Sequence, residues 1–548
     1  MTEVESLRPL AAVVVSAVAI FGILAAHRRP NIREAVTLVA AGAKFAIVAS
    51  MLPGVLDGTV YVTRLGEVVA GVPFVLRADA LGLLFALLAS FLWIPTSLYS
   101  IGYMRGLDEG NQTRYFAAFA GSLSATMGIA FASNLVVLFV FYELLTVATY
   151  PLVAHDEDEE ARAAGRKYLT YTFGGGVAVL AGTVLVFWVT GTVSFAAGGI
   201  EGLTTETSTN VARLAFLLLA GGFSVKAAVM PLHSWLPDAM VAPTPVSGLL
   251  HAVAVVKSGA FGVARVVLDV FGPEAVAEIG TGLPLAVLAV FTFIAASIIA
   301  LRKDNLKRRL AYSTIAQLSY IVMGLALLTP TALVGGLLHI PAHAFMKLTL
   351  FFCAGAIHVE THTDDISKMA GIGKRMPLTM SAFGVASLGM AGIPLLAGFV
   401  SKWYLLVGSF DAGHAVFAFA LLLSGVLNIA YFWPIVYQAF FETREESDEK
   451  PLVDAELGGH WGKVPDHYTP RVPVADGGDA DGEDEHSDHG ADGYWADAGW
   501  RGGETSPFVL VPILGVCACA VALGIAPATV YFLRVVRLIV ENVTGVVV

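Results

Sequence analysis

The sequence predicts an all-α polytopic membrane protein with about 14 transmembrane helices. Three observations lead there. Of 548 residues, 56% are hydrophobic and only 14% are charged, with a mean hydropathy of +0.73. A soluble globular chain is about 45–50% apolar and about 25% charged, and a single soluble core stops growing near roughly 250–300 residues. The apolar residues also fall into runs close to the ~20 residues a helix needs to cross a bilayer. Such runs must be helical, because lipid offers no partner to a backbone N–H or C=O.

In chain order the spans lie at 8–26, 34–53, 79–103, 114–131, 133–154, 167–191, 210–231, 241–270, 282–301, 309–328, 331–357, 376–408, 413–440 and 506–530. The N-terminus has no basic leader and no small-residue cleavage site, so the first run is expected to be a retained span. Between spans two and three, VYVTRLGEVVAGVPFVLRAD alternates and is rich in valine, which predicts a short β-hairpin outside the membrane. Span seven runs into a segment holding Pro231, Pro237, Pro243 and Pro245, and span twelve holds Pro394 between Gly392 and Gly398. Both are expected to be interrupted helices, a pattern that in paired halves marks a transport site. Gly174–Gly176 in span six fits close helix packing, since no strand or GxGxxG spacing accompanies it.

Charge is unevenly placed. Between Glu442 and Glu504 there are 18 acidic and 5 basic residues, a net of −13, so the chain's −11 leaves +2 elsewhere. That loop, 442–505, is expected to be a disordered cytoplasmic insert, since it cannot bury enough apolar surface to offset its ordering entropy. Its Asp484–Gly490 segment is read as solvated rather than as a metal site. Loops after odd-numbered spans hold most of the Lys and Arg, including Arg28, Arg29, Arg105, Lys303, Lys307 and Lys374, which places both termini outside. No basic patch interleaved with aromatics suggests nucleic acid. Cys353, Cys517 and Cys519 sit in apolar runs and suggest neither a disulfide framework nor zinc.

The chemistry lies in ionisable residues inside apolar spans. Of the chain's 12 lysines, Lys44, Lys226, Lys257, Lys347 and Lys402 fall there. Each charge at the bilayer centre costs about 2.5–3.5 kcal/mol on insertion scales, so intramembrane ions mark functional paths. Lys44, in a short early span, could snorkel toward the interface, so a structural reading weighs at least as much as a functional one. Glu143 is the one carboxylate of span five and suits a modulator beside a lysine such as Lys226: its negative charge holds the ammonium, and its withdrawal releases the proton. Lysine suits a relay where arginine would stay charged. His251 and Lys257 share span eight on different faces of a regular helix. His339, His343 and Lys347, spaced i, i+4, i+8, form one stripe of span eleven about 12 Å long, with Pro341 expected to kink it. Two histidines without a third ligand do not make a metal site. Lys402, just after the break at Pro394, stands in span twelve as Lys226 does in span seven.

These residues lie in FYELLTVATYPLV, VKAAVMPLHSWLPDAMVAPTPVSGLLHAVAVVKSG, LKRRLAYSTIAQLSY, LLHIPAHAFMKLTLFF and GIPLLAGFVSKWYL, which closely resemble the antiporter-like subunits of the complex I superfamily. That family includes the large subunits of Mrp-type monovalent cation/proton antiporters and the proton-pumping subunits of NADH:quinone oxidoreductase and membrane-bound hydrogenases. The resemblance covers roughly residues 75–440. It implies two inverted five-helix repeats, residues 114–270 and 282–441, between N-terminal helices with an extracellular hairpin (1–113) and a final helix (506–548). It also implies proton transfer through Glu143, Lys226, His251, Lys257, His339, His343, Lys347 and Lys402. With about 18 residues after the last span, the chain is most similar to the D-type Mrp subunit, though the His251 and Lys257 pair resembles the larger one. The implied partners are other membrane subunits, protons and sodium. The alternative is a proton-pumping subunit of a redox complex. No Fe–S, flavin or nucleotide motif is present, so no cofactor is expected and redox catalysis would belong to partner chains.

Overall fold

The computed structural model describes residues 2–204, 208–443, 503–529 and 531–548. The chain opens with a strand, β1 (Thr2–Glu5), then α1 (Arg8–Ala25), α2 (Pro30–Ala49), the short α3 (Leu52–Leu56) and the hairpin β2 (Thr59–Val69) and β3 (Val72–Ala78). The predicted hairpin is present, antiparallel with Tyr61 opposite Ala78. Its third strand was not legible: β1 lies parallel to β2, with Thr2 opposite Thr59. Because both ends of the α1–α2 pair return to the sheet, β1 and the hairpin lie on one side of the molecule.

The first bundle is α4 (Ala80–Gly106), α5 (Gln112–Phe131), α6 (Leu135–Val153), α7 (Glu159–Thr190) and α8 (Thr209–Lys226), followed by one turn, α9 (Trp235–Asp238), and the pair α10 (Thr244–Ala252) and α11 (Val255–Arg265). After α12 (Pro273–Glu278) come α13 (Gly282–Leu301), α14 (Leu306–Ala326), α15 (Pro330–Thr361), α16 (Ile372–Arg375), α17 (Pro377–Ala391), α18 (Ala397–Asp411) and α19 (Ala415–Phe441). The described chain ends with α20 (Pro507–Ile525) and α21 (Phe532–Thr544). Most of the acidic insert, including Asp484–Gly490, lies outside the described residues.

Side chains start many of these helices. Asp79, Asn134, Asp158, Asn305 and Thr329 each accept a hydrogen bond from the third residue beyond, as good N-caps do. A helix, or a broken pair, occupies each of the fourteen expected positions. Among the described residues, nine helices are long and apolar enough to cross a membrane by length and composition. The others are shorter, more polar or broken in two. Glycine brings α7 and α8 close: a Cβ on Gly175 would stand 2.8 Å from the Gly222 carbonyl oxygen.

Both expected interruptions are present, and a third was missed. Span seven ends as helix at Lys226 and resumes as α9. Span twelve stops at Ala391, turns through Gly392 and Leu395, both at positive φ, and resumes at Ala397. Span eight, read as one regular helix, is broken at Val253 and Ala254, where the Ala254 N–H reaches back to Leu249 O. The helical assignment of α15 continues through Pro341, and its most apolar stretch is entirely buried among α10, α14, α17, α18, α20 and α21. The 18 residues after span fourteen hold α21, whose Phe532, Leu533, Val535, Val536, Ile539 and Val540 pack inward while Arg534 points out.

One buried ion cluster ties α4 to α11. Arg265 donates two parallel hydrogen bonds of 2.8 Å to Asp79 and a third, of 2.7 Å, to Asp269. Removing one partner of a buried ion pair leaves uncompensated charge and costs about 3–5 kcal/mol. Arg265→Ala is therefore expected to lower the apparent Tm of the detergent-purified protein sharply, and an unchanged thermal unfolding curve would show that the cluster does not hold these helices.

Candidate functional site

Seven of the eight sequence-predicted site residues are buried and the eighth, Glu143, is half-buried with its carboxylate turned inward, but they form two groups rather than one line. The first group sits between α6 and α8. Both Glu143 carboxylate oxygens are buried and take no hydrogen bond among the described residues, and the carboxylate packs where a Cβ on Gly176 of α7 would collide with it. Lys226, the last residue of α8, donates to the Tyr142 carbonyl oxygen at 2.5 Å, and its ammonium lies 3.4 Å from the Tyr142 ring centroid. Lys226 thus docks on the residue next to Glu143, within electrostatic reach of its carboxylate, and no ion pair closes between them. The structure holds α6 against α8 without that ion pair as a staple.

The second group surrounds α15. The break in span eight changes the sequence reading of His251 and Lys257. Because α11 starts anew at Val255, Lys257 meets the α15 stripe directly, its Nζ 2.7 Å from His343 Nδ1. One of those two atoms must accept, so this pair shares a single proton at the contact. Among the described residues, His343 Nε2 is buried and unpartnered, as are both ring nitrogens of His251. His251 packs on Phe351 with ring centroids 4.8 Å apart, in electrostatic reach of Lys347 and His343. Lys347 donates to Leu310 O at 3.1 Å and Ser313 Oγ at 3.0 Å.

His339 closes the far end. Its Nε2 lies 2.9 Å from Gln317 Oε1 and its Nδ1 2.8 Å from Ser401 Oγ. A carbonyl oxygen only accepts, so Nε2 carries the hydrogen and Nδ1 is free to accept. The residue after Ser401, Lys402, donates to Met390 O at 2.6 Å and Ala391 O at 3.3 Å. These carbonyls end α17, where a cation is favoured by the helix dipole and satisfies acceptors that have no intrahelical donor.

Polar residues that the sequence reading missed connect this group. Ser313 joins Lys347 to Tyr431 OH at 3.2 Å; Tyr431 bonds Asn428 Oδ1; Gln317 Nε2 reaches the same oxygen at 3.3 Å and so returns to His339. A branch runs from Asn428 through Tyr320 to Ser424. Gln317 and Asn428 are amides in apolar runs, and the burial cost that singled out the lysines applies to them too. Among the described residues, no hydrogen bond joins Lys226 to the central group, although α11 packs on the end of α8, where a Cβ on Gly259 would lie 2.7 Å from the Lys226 carbonyl carbon.

Lys44 is a correction. It does not snorkel: it is fully buried, donating to Ser16 Oγ at 2.5 Å and Leu123 O at 2.9 Å, with its ammonium 4.9 Å from the Trp93 ring centroid. It lies between α1, α2 and α5, apart from both groups.

Fold and site together define an integral membrane protein with ionisable groups threaded through an apolar helical interior. The chain belongs to the family of transmembrane subunits of NADH:quinone oxidoreductase and Mrp antiporters, whose pattern matches residues 132–428. It is 34% identical over 374 residues to the N-type subunit of NADH-quinone oxidoreductase from Desulforudis audaxviator, covering 68% of this chain and 73% of that one. It is 36% identical over 349 residues to the A-type subunit of the Na(+)/H(+) antiporter from Alkalihalophilus pseudofirmus, covering 61% of this chain but only 42% of that longer relative. Its fold matches a chain of the Mrp complex from Dietzia sp. with a TM-score of 0.78 over 98% of each chain, at 21% identity.

The amide bridge gives a direct check. Gln317→Leu strips both His339 and Asn428 of a buried partner, and an unmet buried polar group costs about 1–3 kcal/mol. Denaturation of the purified variant is expected to show a loss of that size. Gln317→Glu, which keeps an acceptor toward His339, is expected to lose less; equal stability of all three proteins would show that the network is not held through Gln317.

Proposed function

We propose that this chain is a proton-translocating membrane subunit of a multi-subunit Mrp-type Na+/H+ antiporter, of the D type, in the plasma membrane with both termini outside. The observation that carries the reading is the central group itself. Lys257, His343, Lys347 and His339 are buried cations or bases with no carboxylate against them among the described residues, held in proton-bearing contacts. Costly ionisable groups gathered in this way in one apolar core have no purely structural explanation, since apolar side chains pack there at lower cost.

In this reading protons step between Lys226, Lys257 or His251, the His339–Lys347 stripe and Lys402. Glu143 sets the hold of Lys226 on its proton. The docking of Lys226 on Tyr142, one residue from Glu143, supports that coupling, because a small shift of α8 brings ammonium and carboxylate together or parts them. The shared proton of Lys257 and His343 passes to one side or the other as its neighbours charge. Residues 114–270 and 282–441 act as two inverted five-helix repeats, with the broken helices of spans seven and twelve in matching places and sodium exchanged within the assembled complex. The 36% identity to an A-type subunit of a Na(+)/H(+) antiporter supports the antiporter reading.

A second reading is favoured by the relative from NADH-quinone oxidoreductase, of which the chain covers 73%. There the same residues would move protons outward, driven by electron transfer in partner subunits.

Two measurements separate these and test the relay. In membrane vesicles, Glu143→Ala and Lys226→Ala are each expected to abolish sodium-driven proton flux while the subunits still co-purify; normal exchange in either variant would sink the mechanism. The visible spectrum of the native complex is expected to be featureless, and flavin or Fe–S bands with redox subunits alongside would favour the pump.

A further inference from the structure

Away from the relay, two loops on the end of the molecule opposite the β-sheet bring together residues 46 positions apart. Glu109 follows α4, and His155 and Asp156 follow α6. One donor atom from each lies within 4.8 Å of the other two. Sequence reading passed over them because no local spacing joins position 109 to position 155.

Two features set this cluster apart from an ordinary acidic loop. His155 is only 3% exposed, and its Nδ1 is buried with no hydrogen-bond partner among the described residues, an arrangement that usually costs free energy and calls for a ligand or water. The nearby arginine reaches the cluster by charge alone, without a hydrogen bond to its carboxylates. Arg114 donates to the His155 carbonyl oxygen at 2.7 Å and pairs with Glu157, which fixes the loop backbone and leaves the Glu109 and Asp156 carboxylates without a hydrogen bond among the described residues.

We propose that Glu109, His155 and Asp156 bind a divalent first-row transition cation, clamping the α4–α5 loop to the α6–α7 loop. One imidazole and two carboxylates are a donor set that Zn²⁺ and Mn²⁺ accept, with water completing the shell. Donor atoms about 2.1 Å from a tetrahedral ion stand roughly 3.4 Å apart. Rotation of the two carboxylates, both on loops, closes the remaining gap. Lys307, in electrostatic reach of both carboxylates, with His358 near Glu109 and Arg114 near Asp156, moderates the affinity. The clamp would fix the end of α6, the helix that carries Glu143.

Mn²⁺ binding to the detergent-purified protein, stripped with chelator, tests this by electron paramagnetic resonance. One saturable Mn²⁺ per chain is expected, with nitrogen coupling from one imidazole, displaced by Zn²⁺. His155→Ala should remove the nitrogen coupling. The exposed Asp156→Asn, which leaves the core untouched, should weaken binding by at least the roughly tenfold that losing even a supporting group costs such sites. A variant with His486→Ala and His489→Ala in the acidic insert should bind as before. Absence of saturable binding, full affinity in Asp156→Asn, or nitrogen coupling that survives His155→Ala or vanishes with the insert histidines would each overturn the proposal.

Discussion

An ammonium group inside an apolar bundle must find acceptors, and this chain meets that demand chiefly with main-chain carbonyls. Lys44 takes Leu123 O, Lys226 takes Tyr142 O, Lys347 takes Leu310 O, and Lys402 takes Met390 O and Ala391 O. The carbonyls of Leu123, Tyr142 and Leu310 lie inside helices and accept through a second lone pair, whereas Met390 and Ala391 stand at a helix end, where carbonyls lack an intrahelical donor. That is the physical use of the break in span twelve: it exposes the end of α17 beside Lys402. A backbone acceptor stabilises the charged form without fixing it as a carboxylate would. These lysines are therefore solvated by the protein's own carbonyls rather than locked in ion pairs.

Lys257 departs from this pattern, because its acceptor is another base, His343. The contact lies just beyond the break of span eight at Val253 and Ala254. Three breaks, in spans seven, eight and twelve, thus each lie beside a titratable residue. In an apolar medium a broken helix is costly unless its freed groups find partners, and at span twelve the freed carbonyls of Met390 and Ala391 find one in Lys402.

Much of this was legible in the amino-acid sequence, because the cost of burying charge is a property of residue type and hydropathy alone. That cost picked out Lys226, Lys257, Lys347 and Lys402, and proline and glycine marked two of the three breaks. What escaped depended on three-dimensional pairing. Nothing in span eight, which lacks proline near Val253, marked its break, and the contact of Lys257 with His343 is a pairing between helices that no spacing reveals. Lys44 was misjudged because its acceptors, Ser16 and Leu123, lie on other helices. Gln317 and Asn428 were overlooked for a different reason: an amide carries no net charge and did not draw the same scrutiny, although its buried hydrogen bonds are as demanding. The pairing of β1 with β2, and the amphipathic α21, were short segments with too little periodic signal beside the long apolar runs.

The unbroken course of α15 has a consequence for how the chain can vary. His339, His343 and Lys347 keep their alignment only while the residue count between them and the rest of α15 stays fixed, since each residue turns a helix by about 100°. A single inserted or deleted residue before His339 would swing all three away from Gln317, Lys257 and Ser313 together. The segments between α8 and α9, and between α17 and α18, have no such register to lose, because they are already irregular. Length variation among relatives should therefore collect in those gaps and in the loops, while α15 tolerates substitution but not a change of length.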